Sequence, residues 1–204
     1  MKLYNSGGPN PKVVRMFMAE KAIDLPKIEV DLRGGENRKE AFLAKNPAGQ
    51  SPALELDDGS VLAEITAICE YLDEKYRDTP SLIGDTPEQR AETRMWVRRV
   101  DLNVCEPMAN GFRYAEGLKM FENRMRCLPE AAAGLKAIAQ DRLAWLDKLL
   151  AGKDFLAGGR MTLADILLFC FVDFFAGIAQ PINQDLKHVV AWHARMKARP
   201  SAAA

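Results

Sequence analysis

Cysteine and histidine are the side chains that most often do chemistry, and their spacing here narrows what they can do. Cys69, Cys105, Cys127 and Cys170 are far apart and form no C-x-x-C pair. Three of them fall in apolar helical stretches, so they read as reduced structural thiols rather than disulfides or metal ligands. His188 and His193 lie off a common helical face and read as surface residues. No metal site is expected. Two short loops say more. In "NPAGQSPALELDDG", residues 46–59, Pro52 heads a strand-like run. A residue without an N–H is tolerated there if its peptide bond is cis or that strand end is unpaired. In "SGGPNP", residues 6–11, Ser6 is the single hydroxyl, and Asn10 precedes Pro11 in the pattern of an N-cap followed by proline at the first helical position.

These loops must be held by the elements around them. "KLYN" (2–5) reads as a short strand, and Val13, Val14, Phe17 and Met18 give the helix after Asn10 an apolar face that runs to about Ile23. "KIEVDL" (27–32) alternates as a second strand, and "GGENRKEAFLAKN" reads as a short or irregular helix. Ala53–Leu56 and Val61–Ala63 flank "DDGS" as an antiparallel hairpin. A helix over 64–76 follows, with Ile65, Ile68, Cys69 and Leu72 at helical spacing. The order is β-α-β-α-β-β-α.

Beyond Tyr76 nothing reads as a strand. A Pro/Gly/Thr-containing linker over 78–86 separates a first domain, 1–77, from an all-helical one, 87–204. Thr86–Pro87 opens a long helix carrying Met95, Trp96, Val100 and Val104, with a bend expected at Pro107. Pro129–Leu150 reads as a helix burying Leu135, Ile138, Leu143, Leu146 and Leu150. "MTLADILLFCFVDFF" begins with Thr162 and Asp165 in capping-box spacing, and a final helix covers about 186–199.

Composition sets bounds. Of 204 residues 48% are hydrophobic, and the 28 basic and 28 acidic side chains cancel. Zero net charge argues against a general nucleic-acid binder, whose affinity comes from neutralising phosphates. Ile166–Ala179, the most apolar stretch, is too short for a membrane span and is interrupted by Asp173. The amino terminus has no apolar run of signal-peptide length. The expectation is a cytoplasmic protein with no membrane contact.

The strand–helix order with a proline before the third strand resembles the thioredoxin fold, in which that proline is cis. "LAKNPAGQSPALELDDGSVLAEITAICEYL", followed by an all-helical half with "MTLADI", resembles the cytosolic glutathione transferase family over nearly the whole chain, from "KLYNSGGPNP" to "HARMKARPS". "PNPKVVRMFMAEKAI" is most similar to the fungal and bacterial branch represented by the second yeast glutathione transferase. The fold class implied is a thioredoxin-like α/β domain followed by an all-α domain.

The resemblance also implies glutathione as co-substrate and a homodimer. The cysteinyl backbone of glutathione would pair with the main chain of Ser51, held outward by a cis Pro52, with Gln50 beside it. Glu64 and Ile65 fall where the family has Glu followed by Ser or Thr, at a helix start whose free N–H groups suit the γ-glutamyl carboxylate. Ile65 has no hydroxyl, so weaker glutathione binding is expected. For thiolate formation two assignments stand. Either Ser6 donates to the sulfur, or Asn10 with the first helix's N–H groups, or an ordered water, stabilises it. Tyr4 lies within the strand and reads as structural, and a loop without cysteine argues against glutaredoxin-like chemistry.

Met108, Phe112, Arg113 and Tyr114 would line an apolar pocket for the electrophile on the long helix. Asp101, with Glu106 as the next candidate, would meet the γ-glutamyl ammonium of glutathione bound to the other subunit. Two functions follow from the resemblance: conjugation of glutathione to hydrophobic electrophiles, with peroxidase or isomerase chemistry in the same class, or a non-catalytic binding or scaffold role.

Overall fold

The computed structural model describes residues 1–204, which form two compact units, Met1–Ser81 with Ala203–Ala204 and Leu82–Ala202. The first unit is a mixed sheet with helices. Strands β1 (Lys2–Asn5), β2 (Lys27–Glu29), β3 (Ala53–Glu55) and β4 (Val61–Leu62) are ordered β2-β1-β3-β4. β1 and β2 run parallel and the other two pairings are antiparallel. Helix α1 (Pro9–Glu20) joins β1 to β2, a short 3₁₀ turn (Glu36–Arg38) and α2 (Glu40–Leu43) lead to β3, and α3 (Ile65–Lys75) follows β4. The β-α-β-α-β-β-α order expected from the sequence is the observed one.

The pleat divides this unit's core in two. Successive strand residues point to opposite faces, so Leu3 and Leu54 are buried on one side, while Tyr4 and Ala53 cluster with Val30 and Phe42 on the other. α1 and α3 pack together through fully buried Val13, Val14, Phe17, Ile68 and Leu72. β2 is shorter than the expected 27–32. It stops because Asp31 leaves the ladder to accept the Gly34 N–H at 2.8 Å in a turn, and Ile28 on this edge strand is 43% exposed.

Lys21, 2% exposed, escaped the sequence reading. Its ammonium lies 2.9 Å from Asp73 Oδ1 on α3, and Asp73 also accepts from the Ser81 hydroxyl at 2.5 Å.

Tyr4 is structural, as its strand position suggested: its hydroxyl donates to Glu55 at 2.7 Å. With Lys2 and Lys45 each 2.9 Å from the same carboxylate, Glu55 is lowered to about 2, chiefly by the Tyr4 hydrogen bond and then by the two lysines. A carboxyl group whose folded value is depressed stabilises the fold above its unfolded value and loses that contribution as pH falls through the folded one. Urea unfolding of the wild type and Glu55→Gln is therefore expected to show a stability gap at neutral pH that closes between 4.5 and about 2. A gap that persists at the acid end would mean the cluster does not hold Glu55 ionised.

The second unit is all helix: α4 (Pro87–Val100), α5 (Glu106–Arg113), α6 (Leu118–Phe121), α7 (Ala132–Leu150), α8 (Leu163–Ala176) and α9 (Lys187–Lys197). Thr86 caps α4 by accepting the Gln89 N–H at 3.2 Å. The bend expected at Pro107 is instead a π-helical turn over Asp101–Cys105. Proline cannot donate to the carbonyl four residues back and clashes with it, and the widened turn relieves that conflict ahead of the ring. The Asn103 side chain donates to the Arg99 carbonyl there at 2.8 Å.

α7 buries Ala139, Leu143, Leu146 and Leu150, but Ile138 is 48% exposed, contrary to expectation. One helical step of about 100° takes it off the stripe. α8 is the central helix, buried from Leu163 to Val172. Its capping box is present, with Asp165 accepting the Thr162 N–H at 3.0 Å. The same carboxylate accepts from the Leu156 N–H at 2.9 Å and the Trp192 indole at 3.1 Å. Burial pushes the Asp165 carboxyl above its ordinary value, against the pull of these hydrogen bonds.

None of the four cysteines is in a disulfide, and only Cys127 is not buried. His188 is exposed, but His193 is not the surface residue expected: its ring packs on Phe169 at 5.3 Å and its Nε2 lies 3.3 Å from Asp173. No helix is long and apolar enough to cross a membrane.

Candidate functional site

Within the first unit Asn10, Asn46, Gln50, Ser51, Pro52, Glu64 and Ile65 line a small cleft of about 40 Å³. Three chain segments far apart in sequence supply it: the start of α1, the loop entering β3, and the start of α3.

α1 begins two residues earlier than the sequence suggested. Gly8, at φ 103°, is its N-cap, Pro9 is the first helical residue, and no side chain caps the helix. Asn10 is thus inside the first turn and is not the cap, which releases its amide to the cleft. The first four N–H groups of a helix have no partner within it. Here those positions are Gly8, Pro9, Asn10 and Pro11, and the prolines have no N–H. The donors of this terminus are therefore concentrated on Gly8 and Asn10, where the positive end of the helix dipole lies.

The loop entering β3 leaves its outermost groups unused. Within it the Gly49 N–H donates to the Asn46 carbonyl at 2.8 Å, and the carbonyls of Gly49 and Gln50 accept from Asn37 and Asn46. The Ser51–Pro52 bond is cis. The Ser51 hydroxyl donates to the Tyr4 carbonyl at 3.4 Å, while its N–H and C=O pair with no group of the chain, because the β1–β3 register begins at Ala53. A strand end in this condition accepts an extended main chain from outside.

The third segment carries backbone strain. Glu64, the N-cap of α3, has φ 66° and ψ 119°, a region costly for a residue with a side chain. No side chain caps α3, and its first internal bond runs from the Ile68 N–H to the Glu64 carbonyl at 3.0 Å. The N–H groups of Ile65 and Thr66 remain for an anion. The cleft therefore presents an unpaired strand end, which suits an extended main chain, beside two helix N-termini, which suit anions.

Other residues expected at the site lie elsewhere. Ser6 is 4% exposed, its hydroxyl faces the Gly7 carbonyl at 3.3 Å, and it does not line the cleft. In the second unit Met108 is fully buried and its carbonyl accepts from Gln180 at 2.9 Å, which removes it from any open pocket. Phe112 joins an aromatic cluster with Phe121, Phe174 and Phe175. Arg113 donates to Asn110 at 2.9 Å and lies over the Phe121 ring at 5.7 Å, and Tyr114 is half-buried. Asp101 is half-buried in the π turn, and Glu106 is exposed at the start of α5. Asn46 is the cleft residue that sequence reading missed, although an asparagine before proline at a helix end is a recognisable turn signal.

Residues 8–75 match the family model of the glutathione S-transferase N-terminal domain, and residues 116–200 match that of the glutathione S-transferase C-terminal domain. The chain is 32% identical to Glutathione S-transferase 2 of Saccharomyces cerevisiae over 209 residues, covering 98% of this chain and 87% of that protein. It is similar to the crystal structure of a glutathione S-transferase domain-containing protein from Marinobacter aquaeolei VT8, with a TM-score of 0.93 at 39% identity, covering 98% of this chain and 99% of that one. The crystal structure of Gtt2 from Saccharomyces cerevisiae gives a TM-score of 0.93 at 32% identity, covering 100% and 99% of the two chains.

Proposed function

The chain belongs to the glutathione S-transferase family, and from that premise we propose that it binds glutathione in this cleft, lowers the pKa of its thiol and transfers the thiolate to a hydrophobic electrophile. The observation that carries this reading is the meeting of an unpaired Ser51 main chain with two uncapped helix starts in one cleft. Ser51 pairs with the cysteinyl main chain, with Gln50 alongside. The start of α3 at Glu64 and Ile65 takes the γ-glutamyl carboxylate. The sulfur falls to the start of α1, where the Asn10 N–H and side-chain amide favour its anion. The thiolate then attacks the electrophilic carbon. The protein supplies orientation and charge stabilisation.

A thiol with an ordinary pKa of about 8.5 is mostly protonated at neutral pH, so activation must appear as a depressed value. The deciding experiment is an ultraviolet difference titration of the thiolate of glutathione in the presence of the protein. A bound thiol pKa well below the free value supports the enzyme. Saturable binding with an unshifted pKa supports the non-catalytic binding or scaffold role, and no binding removes the glutathione reading altogether.

Ile65 offers a main-chain N–H but no hydroxyl, which leaves the carboxylate one donor short. Ile65→Ser is expected to tighten glutathione binding about tenfold, the usual effect of one added hydrogen bond to a charged group. Calorimetry that finds no gain would displace the carboxylate from α3.

On the second unit, Phe112, Arg113 and Tyr114 are the residues proposed to meet the electrophile, with Met108 withdrawn to the core. The working assembly is a homodimer in which Asp101 of one subunit approaches the γ-glutamyl ammonium of glutathione held by the other. Light scattering checks the dimer, and a monomer that turns over glutathione would overturn that role for Asp101.

A further inference from the structure

The two main-chain groups of Ser51 can serve a ligand only if the loop before them is held in one shape, and that shape is fixed from inside by two side-chain amides. Resting on the glutathione reading above, we propose that Asn37 and Asn46 are positioning residues that set the affinity for the tripeptide's main chain.

The two come from different elements and act on consecutive carbonyls. Asn37, in the 3₁₀ turn and 3% exposed, donates from Nδ2 to the Gly49 carbonyl at 2.6 Å. Asn46, after α2 and 4% exposed, donates from Nδ2 to the Gln50 carbonyl at 2.7 Å and accepts the Ala48 N–H at 3.1 Å. Gly49 sits at φ 61° between them, and a Cβ there would meet the Asn37 carbonyl at 3.0 Å and Leu43 Cδ2 at 3.2 Å. The loop's inward carbonyls are thus both satisfied, which leaves the Ser51 N–H, on the same peptide unit as the Gln50 carbonyl, and the Ser51 C=O for a ligand.

Asn37 makes this arrangement costly in isolation. Its Oδ1 is buried without a partner, and an unpaired buried acceptor opposes folding. An apolar side chain at that position would avoid the cost but would leave the Gly49 carbonyl unbound. The amide is accounted for by the bond it makes with Nδ2. A loop free to rotate at Gly49 or Gln50 would have to be ordered by the ligand, and that ordering would be subtracted from affinity.

A positioning role separates affinity from thiol activation, since α1 belongs to another segment. The experiment uses Asn46→Ala, Asn46→Asp and Asn37→Ala in the full chain, with calorimetry against glutathione and the ultraviolet titration of its bound thiol. The Kd is expected to rise about tenfold in each variant, the weight of one hydrogen bond. The bound-thiol pKa is expected to stay at the wild-type value. Asn46→Asp keeps the acceptor for Ala48 but has no donor for Gln50, so it should bind no better than Asn46→Ala. Should Asn46→Ala not fold, Asn37→Ala gives the same reading at the neighbouring carbonyl. A Kd unchanged in the folded variants, an Asn46→Asp that binds like wild type, or a thiol pKa that climbs in step with Kd overturns the positioning role while wild-type binding keeps the glutathione reading. A wild type that binds no glutathione removes both.

Discussion

Replacing Asn10 by alanine is expected to raise the pKa of bound glutathione's thiol back toward about 8.5 and to lower kcat/KM at neutral pH by about one to two orders of magnitude. The size follows from how few donors the first turn has. An ordinary helix start offers several N–H groups to an anion. Pro9 and Pro11 remove two of the four in α1, so the Asn10 side-chain amide is a large share of what remains. The sign of the pH dependence is fixed by the same argument. A thiol stabilised as its anion is more ionised than free glutathione below the free pKa and equally ionised well above it. The deficit of Asn10→Ala should therefore be greatest at neutral or lower pH and shrink as pH rises past about 8.5.

Ser6→Ala is the matched control for Asn10→Ala. The Ser6 hydroxyl faces the Gly7 carbonyl, outside the cleft, so the thiol pKa should not move. Full turnover and an unshifted pKa in Asn10→Ala would assign the sulfur to another donor, such as an ordered water.

Asp165→Ala is expected to be the most damaging single change to the fold. The carboxylate accepts from the Leu156 and Thr162 N–H groups, the Thr162 hydroxyl and the Trp192 indole, all in a buried setting. Each donor left without a partner costs roughly 1 kcal/mol or more, so the loss is about 4 kcal/mol, a large part of a stability of about 5–15 kcal/mol. Chemical denaturation should show a lowered midpoint, and Tm should fall by about 10 °C. Asp165→Asn keeps the volume but turns an NH₂ toward groups that themselves donate, so it should recover only part of the loss. A midpoint within error of wild type would mean that water replaces the carboxylate and that the α8 start is not a keystone of the helical unit.

Most of the architecture was legible in the sequence because it depends on local pattern. The short strand "KLYN" before its glycine turn, the Asp-Gly turn between β3 and β4, and the apolar spacing of Val13, Val14 and Phe17 each follow from the geometry of one element. The Thr162–Asp165 box is likewise local, since both partners lie within one turn. The Ser51–Pro52 question could be posed from the sequence because proline lacks an N–H in any fold. Resemblance chose the cis answer, and the structure agrees. Membership of the glutathione S-transferase family rests on such signals appearing in order along nearly the whole chain.

What the sequence left open are matters of direction and distance. Nothing local distinguishes an asparagine that caps α1 from one that lies inside its first turn, yet a shift of two residues decides whether its amide is occupied or available. Ser6 and Asn10 are both candidates in a linear loop, and only the folded loop turns one hydroxyl to a neighbouring carbonyl and the other side chain to the cleft. Met108 and Phe112 share a helical stripe, but packing alone decides which is sealed in the core. Lys21 and Asp73 meet across 52 residues, and Asn37 reaches Gly49 across 12. Hydrophobic periodicity and turn chemistry act within a few residues, so the sequence alone determined the elements and the family. Which polar atoms face the cleft depends on contacts between segments distant in sequence, and that only the tertiary structure decided.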